Sequence, residues 1–208
     1  HSVLEDYLKH LLKKAVSQDL ESLYAIASQK KKEYTTIPET GSLSFFEADI
    51  ILNRFASQKI NPHKIYAVEK FFRLSMDKED FYLEGRIDRI DIENWKGEKL
   101  LHIIDYKTGS DKLTEQELTD DLQMKFYILA SYFLYRELYK NFRFSLYYLK
   151  DNSCVSYRTE YQDNYFKEIS SYAKIIKEDR SYKKNISRHC TYCPAFKVCR
   201  PDKTGIAE

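Results

Sequence analysis

The first residues of the chain carry a hydrophobic stripe with the period of an α-helix. Its members recur at intervals of mostly three or four residues: Leu4, Leu8, Leu11, Leu12 and Ala15. Position 1, a histidine, falls on the same stripe, so we expect it to face inward with the helix core. Similar spacing predicts helices over about 20–32 and 44–56, and Asn61-Pro62 ends this helical region.

The chain then changes to segments of alternating β-branched and aromatic residues. Three of these, separated by turn signals at 77–80 and 94–97, predict an antiparallel meander over 64–75, 81–92 and 99–107. The remaining pattern predicts a long helix, two strands and a last helix, at about 115–138, 143–150, 155–161 and 164–178.

This order of elements predicts an α/β fold, with a mixed central sheet and helices on both faces. A chain of 208 residues with 43% hydrophobic residues has room for one domain, spanning 1–208, with a substantial core, and this excludes a disordered tail. The longest uncharged apolar run near the middle, 126–135, is about half of the ~20 residues that a membrane helix needs. We therefore expect a soluble protein. A net charge of +2 is too near neutral for a histone-like coat of positive charge, and it does not bear on any local basic groove.

Two acidic segments lie in the predicted meander. Asp105 and Lys107 are two residues apart on one strand, so their side chains leave the same face of the sheet. Asp88 and Asp91 are three apart and point to opposite faces, so only one of them can join Asp105. Two carboxylates in an apolar sheet repel each other unless a cation compensates, and oxygen ligands suit Mg²⁺ or Mn²⁺. The alternative is an ordinary ion pair of Asp105 with Lys107 and a satisfied surface aspartate at 88.

These segments resemble the RecB-like branch of the PD-(D/E)XK nucleases. The resemblance rests on GRIDRID at 85–91, IDYKTG at 104–109 and Gln123 with Tyr127 on the following helix. The start of the chain, HSVLE at 1–5, is similar to the family's His-x-x-x-Glu pattern. The resemblance spans nearly the whole chain and implies a restriction-endonuclease-like core.

The resemblance also implies the ligands of a metal ion. It assigns this role to His1, Asp88, Asp105 and the backbone carbonyl of Tyr106. Lys107 would orient or activate the attacking water and offset negative charge in the transition state, as an ammonium beside a metal site can.

Gln123 and Tyr127 are four residues apart and share one helix face. The resemblance implies that they act catalytically, beside the metal site and the DNA backbone, whereas spacing alone favours a core role for Tyr127. Glu5 and Glu69 have family-like contexts and are secondary candidates.

Three cysteines, Cys190, Cys193 and Cys199, have metal-ligand spacing. The segment 188–201 resembles the carboxy-terminal iron-sulfur tail of AddB-type helicase-nuclease subunits and of CRISPR-associated adaptation nucleases. In those relatives the fourth cysteine lies upstream of the nuclease histidine, so an incomplete or labile cluster is expected here. Zinc held with His189 is the alternative. Cys154 is expected to be a small buried apolar residue.

These features predict a metal-dependent DNA nuclease that hydrolyses phosphodiester bonds. The resemblance implies an exonuclease module of a helicase-nuclease in double-strand break repair and recombination. Its partners would be DNA and a helicase subunit or an upstream helicase-like region of the same chain. The alternatives are a CRISPR-adaptation-type nuclease, a catalytically silent DNA-binding module, and RNA as the substrate. The sequence has no visible signal peptide, which favours the cytoplasm, and its first residue is not Met, so we expect the chain to continue upstream.

Overall fold

A computed structural model of the chain describes residues 1–14, 19–35, 45–76, 80–181, 183–187, 190 and 193–199. The chain divides into two compact units, His1–Ser170 and Ser171–Glu208. The prediction that one domain spans 1–208 stays a prediction. Within the described residues, no helix combines the length and the apolar character that crossing a membrane requires.

The first unit is built on a mixed five-stranded sheet. In chain order its strands are β1 Ile65–Met76, β2 Phe81–Trp95, β3 Glu98–Lys107, β4 Asn141–Tyr148 and β5 Ser153–Glu160. The spatial order is the same, β1-β2-β3-β4-β5. All neighbours are antiparallel except β3 and β4, which are parallel. The predicted antiparallel meander and mixed sheet are therefore confirmed.

Helices cover both faces of this sheet, as predicted. In chain order they are α1 Ser2–Lys14, α2 Leu20–Thr35, α3 Phe45–Ala56, α4 Glu115–Asp120, α5 Leu122–Tyr135 and α6 Asp163–Glu178, and the second unit also holds the short α7 Phe196–Cys199. Side chains of α1, α2 and α3 share a core with Ile104 and Tyr106 on one face of β3. Side chains of α5 and the first half of α6 share a core with Ile103 on the other face.

The predicted long helix over 115–138 is wrong, because the chain forms two helices that meet at Asp121. Thr114 and Glu117 form a capping box that starts α4. Asp121 then has extended backbone angles, φ −65° and ψ 126°, and its carboxylate accepts a hydrogen bond from the N–H of Met124 at 2.7 Å. This second cap places Gln123 in the first turn of α5.

The first helix follows its predicted stripe only in part. Leu4, Leu8 and Leu11 are buried, whereas Leu12 is exposed and Ala15 lies outside the described residues. The prediction that position 1 faces inward is wrong, because His1 precedes the helix and its side chain is 47% exposed. Its Nδ1 atom lies 3.8 Å from a carboxylate oxygen of Asp88.

The alternation of β2 shifts by one residue beside Asp88. Ile87 and Ile90 are three apart, and a regular strand would send them to opposite faces, yet both are fully buried in the core that contains α5. Across the strand pair, Glu69 has a positive φ of 51°, which is unusual for a residue with a side chain. The irregular backbone thus falls where β1 and β2 carry their carboxylates.

Candidate active site

Asp88 lies where β2 and β3 separate. Their pairing ends at Arg89 and Ile104. Beyond this point the Asp88 carboxylate accepts a hydrogen bond from the backbone N–H of Tyr106 at 2.8 Å. The side chain of Asp88 is therefore fixed at the end of the ladder, beside the next residues of β3.

His1, Glu69 and Asp88 form a compact group of potential metal ligands within the described part of the chain. One ligand atom of each lies within 4.8 Å of the others. The Nδ1 atom of His1 is 3.8 Å from a carboxylate oxygen of Asp88. The structure thus brings together two of the predicted ligands with Glu69, which the sequence ranked as secondary.

The β1–β2 hairpin explains why Glu69 belongs to this group. Met76 pairs with Phe81 at the hairpin end, and counting back along both strands sets Glu69 opposite Asp88. Cross-strand partners share a face and lie side by side. The turn signal at 77–80 contained this information, because it fixes the register of the hairpin.

Asp105, Lys107 and Gln123 form a second group. The Nζ atom of Lys107 is 2.7 Å from a carboxylate oxygen of Asp105 and donates to the amide oxygen of Gln123 at 2.7 Å. The amide nitrogen of Gln123 donates to the other Asp105 oxygen at 3.1 Å. The three side chains therefore restrain one another across β3 and α5.

The carboxylate of Asp105 is buried beside the Lys107 ammonium. The residue is 5% exposed, and its Oδ2 atom lies 2.7 Å from the Nζ atom of Lys107. An ionised carboxylate has about four lone-pair sites, so Asp105 can bind a cation in addition to its contacts with Lys107 and Gln123. Together with the imidazole and carboxylates of the first group, this donor set fits a divalent cation such as Mg²⁺ or Mn²⁺.

The pKa values of these carboxyl groups also favour a bound cation. Burial raises the pKa of Asp88, Asp105 and Glu69 above the usual carboxyl range. The negative charge of Asp88 raises the pKa of Glu69 and Asp105 further. The charged forms of these groups therefore need compensation, which a bound cation would supply.

Tyr127 belongs to the core and also ties α5 to β2. Its ring packs against Phe72 and Phe144, and burial raises its pKa to about 12. Its hydroxyl donates a hydrogen bond to the backbone carbonyl of Arg86 at 2.8 Å, two residues before Asp88. The helix that carries Gln123 is thereby fixed to the strand that carries Asp88.

A pocket opens beside the Lys107 group. It has a volume of about 390 Å³, and its lining includes Lys107, Gly109, Gln123 and Tyr148. This volume lies within the range of small-ligand sites, about 300–1,000 Å³.

Asp91 lies apart from this site. Its carboxylate accepts two hydrogen bonds from the guanidinium of Arg89, at 2.7 and 2.5 Å, and both residues are buried. Arg89 also donates to the hydroxyl of Tyr106, whose ring packs on the side of the sheet that α3 covers. Asp88 and Asp91 thus have different partners, but β2 is irregular between Ile87 and Ile90, so their spacing of three does not explain the separation.

Sequence reasoning missed a polar network on the face of the sheet that carries Ile104 and Tyr106. His102 lies 3.2 Å from Glu93 through Nδ1 and 2.7 Å from the Ser145 hydroxyl through Nε2. These residues line a pocket of about 380 Å³ together with Cys154. The prediction that Cys154 is buried is wrong, because it lies on the edge strand β5 beside this open pocket and is exposed.

The tail cysteines lie in the second unit. The N–H of Cys193 donates to the carbonyl of Cys190 at 3.2 Å, and Cys199 ends α7. Within the described residues, their thiols do not form a compact ligand group. The iron-sulfur cluster stays a prediction, and His189, the alternative zinc ligand, lies outside the described residues.

Comparison with known proteins assigns this arrangement to a class of phosphodiester-cleaving enzymes. A family model described as "PD-(D/E)XK nuclease superfamily" matches residues 1–200. The chain belongs to the PD-(D/E)XK nuclease superfamily, whose members typically use divalent metal ions.

Curated relatives of the chain are named as subunits of an ATP-dependent helicase/deoxyribonuclease. The protein from Clostridium perfringens strain SM101 is 57% identical over 23% of this chain and 4% of its own length. The protein from Carboxydothermus hydrogenoformans is 28% identical over 62% of this chain and 15% of its own length. The chain therefore matches a small part of these much longer relatives. The solved structure "Crystal structure of SSO0001" covers 98% of both chains at 16% identity with a TM-score of 0.41, a likeness too distant to bear on function.

Proposed function

We propose that the chain is a divalent-metal-dependent deoxyribonuclease domain that hydrolyses phosphodiester bonds. The observation that carries the proposal is that two groups of polar side chains lie where β2 and β3 separate. The compact set of His1, Glu69 and Asp88 lies at the end of the β2–β3 ladder, and Asp105 follows on β3 as a buried carboxylate beside Lys107. Membership of the nuclease superfamily and the deoxyribonuclease name of the relatives support it.

The residues that would hold the ion are His1, Asp88 and Asp105, with the backbone carbonyl of Tyr106 as the further ligand that the family resemblance implies. Glu69 joins this set on the strength of its distance from His1 and Asp88. When bound, a divalent ion supplies Lewis-acid polarisation of the phosphate and lowers the pKa of bound water. Asp88 is already oriented for this role by the hydrogen bond from Tyr106.

Lys107 is the residue that would act on the reacting phosphate and water. Its ammonium group lies beside the pocket of about 390 Å³, which can admit a phosphodiester. Asp105 and Gln123 hold the ammonium from two sides, so it is positioned before the substrate arrives. A fixed positive charge at this place stabilises the negative charge that develops on the phosphate, and it orients the attacking water.

Gln123 and Tyr127 keep these groups in place from α5. Gln123 bridges Lys107 and Asp105, so it controls the distance between the ammonium and the carboxylate. Tyr127 anchors the same helix to the backbone of β2. Because both contacts reach strands that carry the candidate ligands, α5 would set the geometry of the whole site.

We further propose that the domain works as an exonuclease module beside a helicase in the repair of double-strand breaks. The support is the shared name of the relatives, which combines helicase and deoxyribonuclease. The partners would then be DNA and a helicase subunit or region. For the tail, the spacing of Cys190, Cys193 and Cys199 supports an iron-sulfur ligand set. Anaerobic reconstitution with iron and sulfide tests it, with visible absorption and iron content as the measurements.

The test of the nuclease proposal is cleavage of end-labelled single- and double-stranded DNA with Mg²⁺ or Mn²⁺. The wild-type chain should cut, and Asp105→Asn and Lys107→Met should each lose most of the rate. Glu137→Gln, a change at an exposed carboxylate after α5, is the matched control and should cut like the wild type. A folded wild type that cuts neither substrate, or an Asp105→Asn variant that cuts equally well, would contradict the proposal.

A further inference from the structure

Tyr148 is the cross-strand neighbour of Lys107. It is the last residue of β4 and pairs with Lys107 at the end of the parallel β3–β4 ladder. Its side chain is 3% exposed and lies in the core that contains α5. Tyr148 and Lys107 line the same pocket of about 390 Å³. A residue that the nuclease proposal does not use therefore stands directly beside the lysine that it does use.

The hydroxyl of Tyr148 reaches a loop that forms another part of the pocket wall. We call residues 108–113, which follow β3 and lead to α4, the wall loop. Four of its residues line the pocket: Gly109, Ser110, Asp111 and Leu113. The Tyr148 hydroxyl accepts a hydrogen bond from the backbone N–H of Leu113 at 2.8 Å. One side chain thus lines the pocket itself and also fixes the position of the loop.

A second contact holds the same half of the wall loop. The ammonium of Lys112 forms an ion pair with the carboxylate of Asp151, in the turn after β4. Both side chains are close to half exposed, at 43% and 44%, and exposed pairs of this kind contribute little. In the first half of the loop, nothing lies within 4 Å of a Cβ atom added at Gly109. The loop is therefore anchored to β4 through its second half, and the Tyr148 hydrogen bond is the better shielded of these two contacts.

We propose that Tyr148 is a positioning residue, which holds the wall loop so that the pocket beside Lys107 is preformed for a phosphodiester. This inference rests on the proposed nuclease function and adds a residue to that site. A loop that is already in its bound conformation loses less conformational entropy when the substrate binds. Lys107 and Gln123, which line the same pocket, are likewise fixed by their contacts with Asp105. The substrate would then meet two sets of groups that are both in place before it arrives.

The variant Tyr148→Phe removes the hydroxyl and keeps the ring. With bis(p-nitrophenyl) phosphate and Mn²⁺ it should raise KM by about 2- to 12-fold, the range for loss of one hydrogen bond. Its kcat should be nearly unchanged, because a contact made equally with substrate and transition state affects KM alone. Tyr147→Phe is the matched control and should behave like the wild type, since the Tyr147 ring packs near Tyr106 on the opposite face of the sheet. Lys112→Met should raise KM by less than Tyr148→Phe.

Two further measurements separate positioning from a purely structural role. Amide hydrogen exchange of Tyr148→Phe should be faster than in the wild type over residues 109–113 and unchanged along β4. The Mn²⁺ affinity of this variant should equal that of the wild type, because the proposed metal ligands are untouched. The proposal is overturned if Tyr148→Phe has the KM of the wild type, or if it lowers kcat and weakens Mn²⁺ binding as a general disturbance of the site would. Unchanged exchange of the wall loop would overturn it as well.

Hydrogen exchange also separates this inference from the nuclease proposal, because it does not need cleavage. The dinucleotide dTpdT carries one phosphodiester, and with Ca²⁺ in place of Mg²⁺ it should slow the exchange of the wall-loop amides in the wild type. Tyr148→Phe should need a higher dTpdT concentration for the same protection. A wild type whose wall loop is protected by dTpdT but which hydrolyses neither bis(p-nitrophenyl) phosphate nor DNA would overturn the nuclease proposal alone. A wild type that hydrolyses both, while dTpdT leaves the wall loop unprotected, would overturn this inference alone.

Discussion

The guanidinium of Arg89 donates a hydrogen bond to the hydroxyl of Tyr106 at 3.2 Å, on the face of the sheet opposite to Asp105. Arg89 follows Asp88 on β2, and Tyr106 follows Asp105 on β3, so this contact joins the two strands that carry the carboxylates. It spans the point where backbone pairing between them ends. Asp91 neutralises the buried guanidinium from the same side.

Breaking this buried pair should cost much of the stability of the fold. Arg89→Met leaves the Asp91 carboxylate buried without its partner, and removal of one member of a buried ion pair typically costs about 3–5 kcal/mol. Urea unfolding measures this change. The double variant Arg89→Met/Asp91→Leu should regain most of the loss, since no buried charge then remains. A loss below about 1 kcal/mol in the single variant would show that the pair is dispensable.

The glycine of the GRIDRID run should be required by packing. A Cβ atom added at Gly85 would lie 2.8 Å from the ring of Phe72 and 3.4 Å from that of Phe126, so the rings would have to shift. We expect Gly85→Ala to cost about 1–3 kcal/mol, the usual range for overpacking a core. Gly109→Ala is the control, because nothing lies within 4 Å of its added Cβ. Thermal unfolding of both variants measures this difference in stability. Equal melting temperatures for Gly85→Ala and Gly109→Ala would contradict the packing argument.

The His102 network should make stability fall in mild acid. Burial lowers the pKa of His102, so the folded protein holds its ring neutral, while the unfolded chain takes up a proton near its ordinary pKa of 6.5. Stability is therefore full above about pH 6.5 and decreases as the pH falls below it. The hydrogen bond from His102 lowers the pKa of Glu93 to about 2, which adds a second loss from about pH 4.5 down to pH 2.

Urea unfolding at pH 8, 7, 6 and 5 measures this dependence. His102→Gln should have a smaller decrease in the free energy of unfolding between pH 6.5 and pH 5 than the wild type. Its stability at pH 8 can be lower, because it changes the hydrogen bonds to Glu93 and Ser145. An unchanged slope between pH 6.5 and pH 5 would contradict the assignment of a neutral His102.

Gln123 should act through Lys107. Gln123→Leu removes the bridge that restrains the ammonium and the Asp105 carboxylate, and loss of such a supporting contact typically costs about 10- to 100-fold in activity or metal affinity. The hydrolysis rate of bis(p-nitrophenyl) phosphate is the measurement. Gln116→Leu, on the exposed surface of α4, should leave the rate unchanged. Equal rates in both variants would remove Gln123 from the site.

The alternation of residues along the strands was the most informative sequence signal for the site. The two-residue spacing of Asp105 and Lys107 predicts their shared face correctly, since alternation is a local property of a strand. The three-residue spacing of Asp88 and Asp91 spans the irregular part of β2, so regular alternation does not account for where these two side chains lie. Glu69 could be placed beside Asp88 only through the hairpin register, which is a long-range relationship.

The hydrophobic pattern did not predict two other features, the helix break at Asp121 and the exposure of Cys154. The helix break at Asp121 arises because the carboxylate satisfies the first N–H groups of α5 in place of a continuous helix, a balance that apolar periodicity does not reveal. The exposure of Cys154 depends on which part of the sheet lacks a covering helix. The exposure of Cys154 is therefore not a function of the residues next to it in sequence.

The central claim is that His1, Asp88 and Asp105 together hold a divalent ion. Titration of the full chain with Mn²⁺, followed by the loss of the free-ion electron paramagnetic resonance signal, tests it most directly. The account predicts saturable binding by the wild type and by Asp120→Asn, a control at an exposed carboxylate, and strongly weakened binding by Asp88→Asn and Asp105→Asn. Equal Mn²⁺ affinity in all four folded proteins would contradict it.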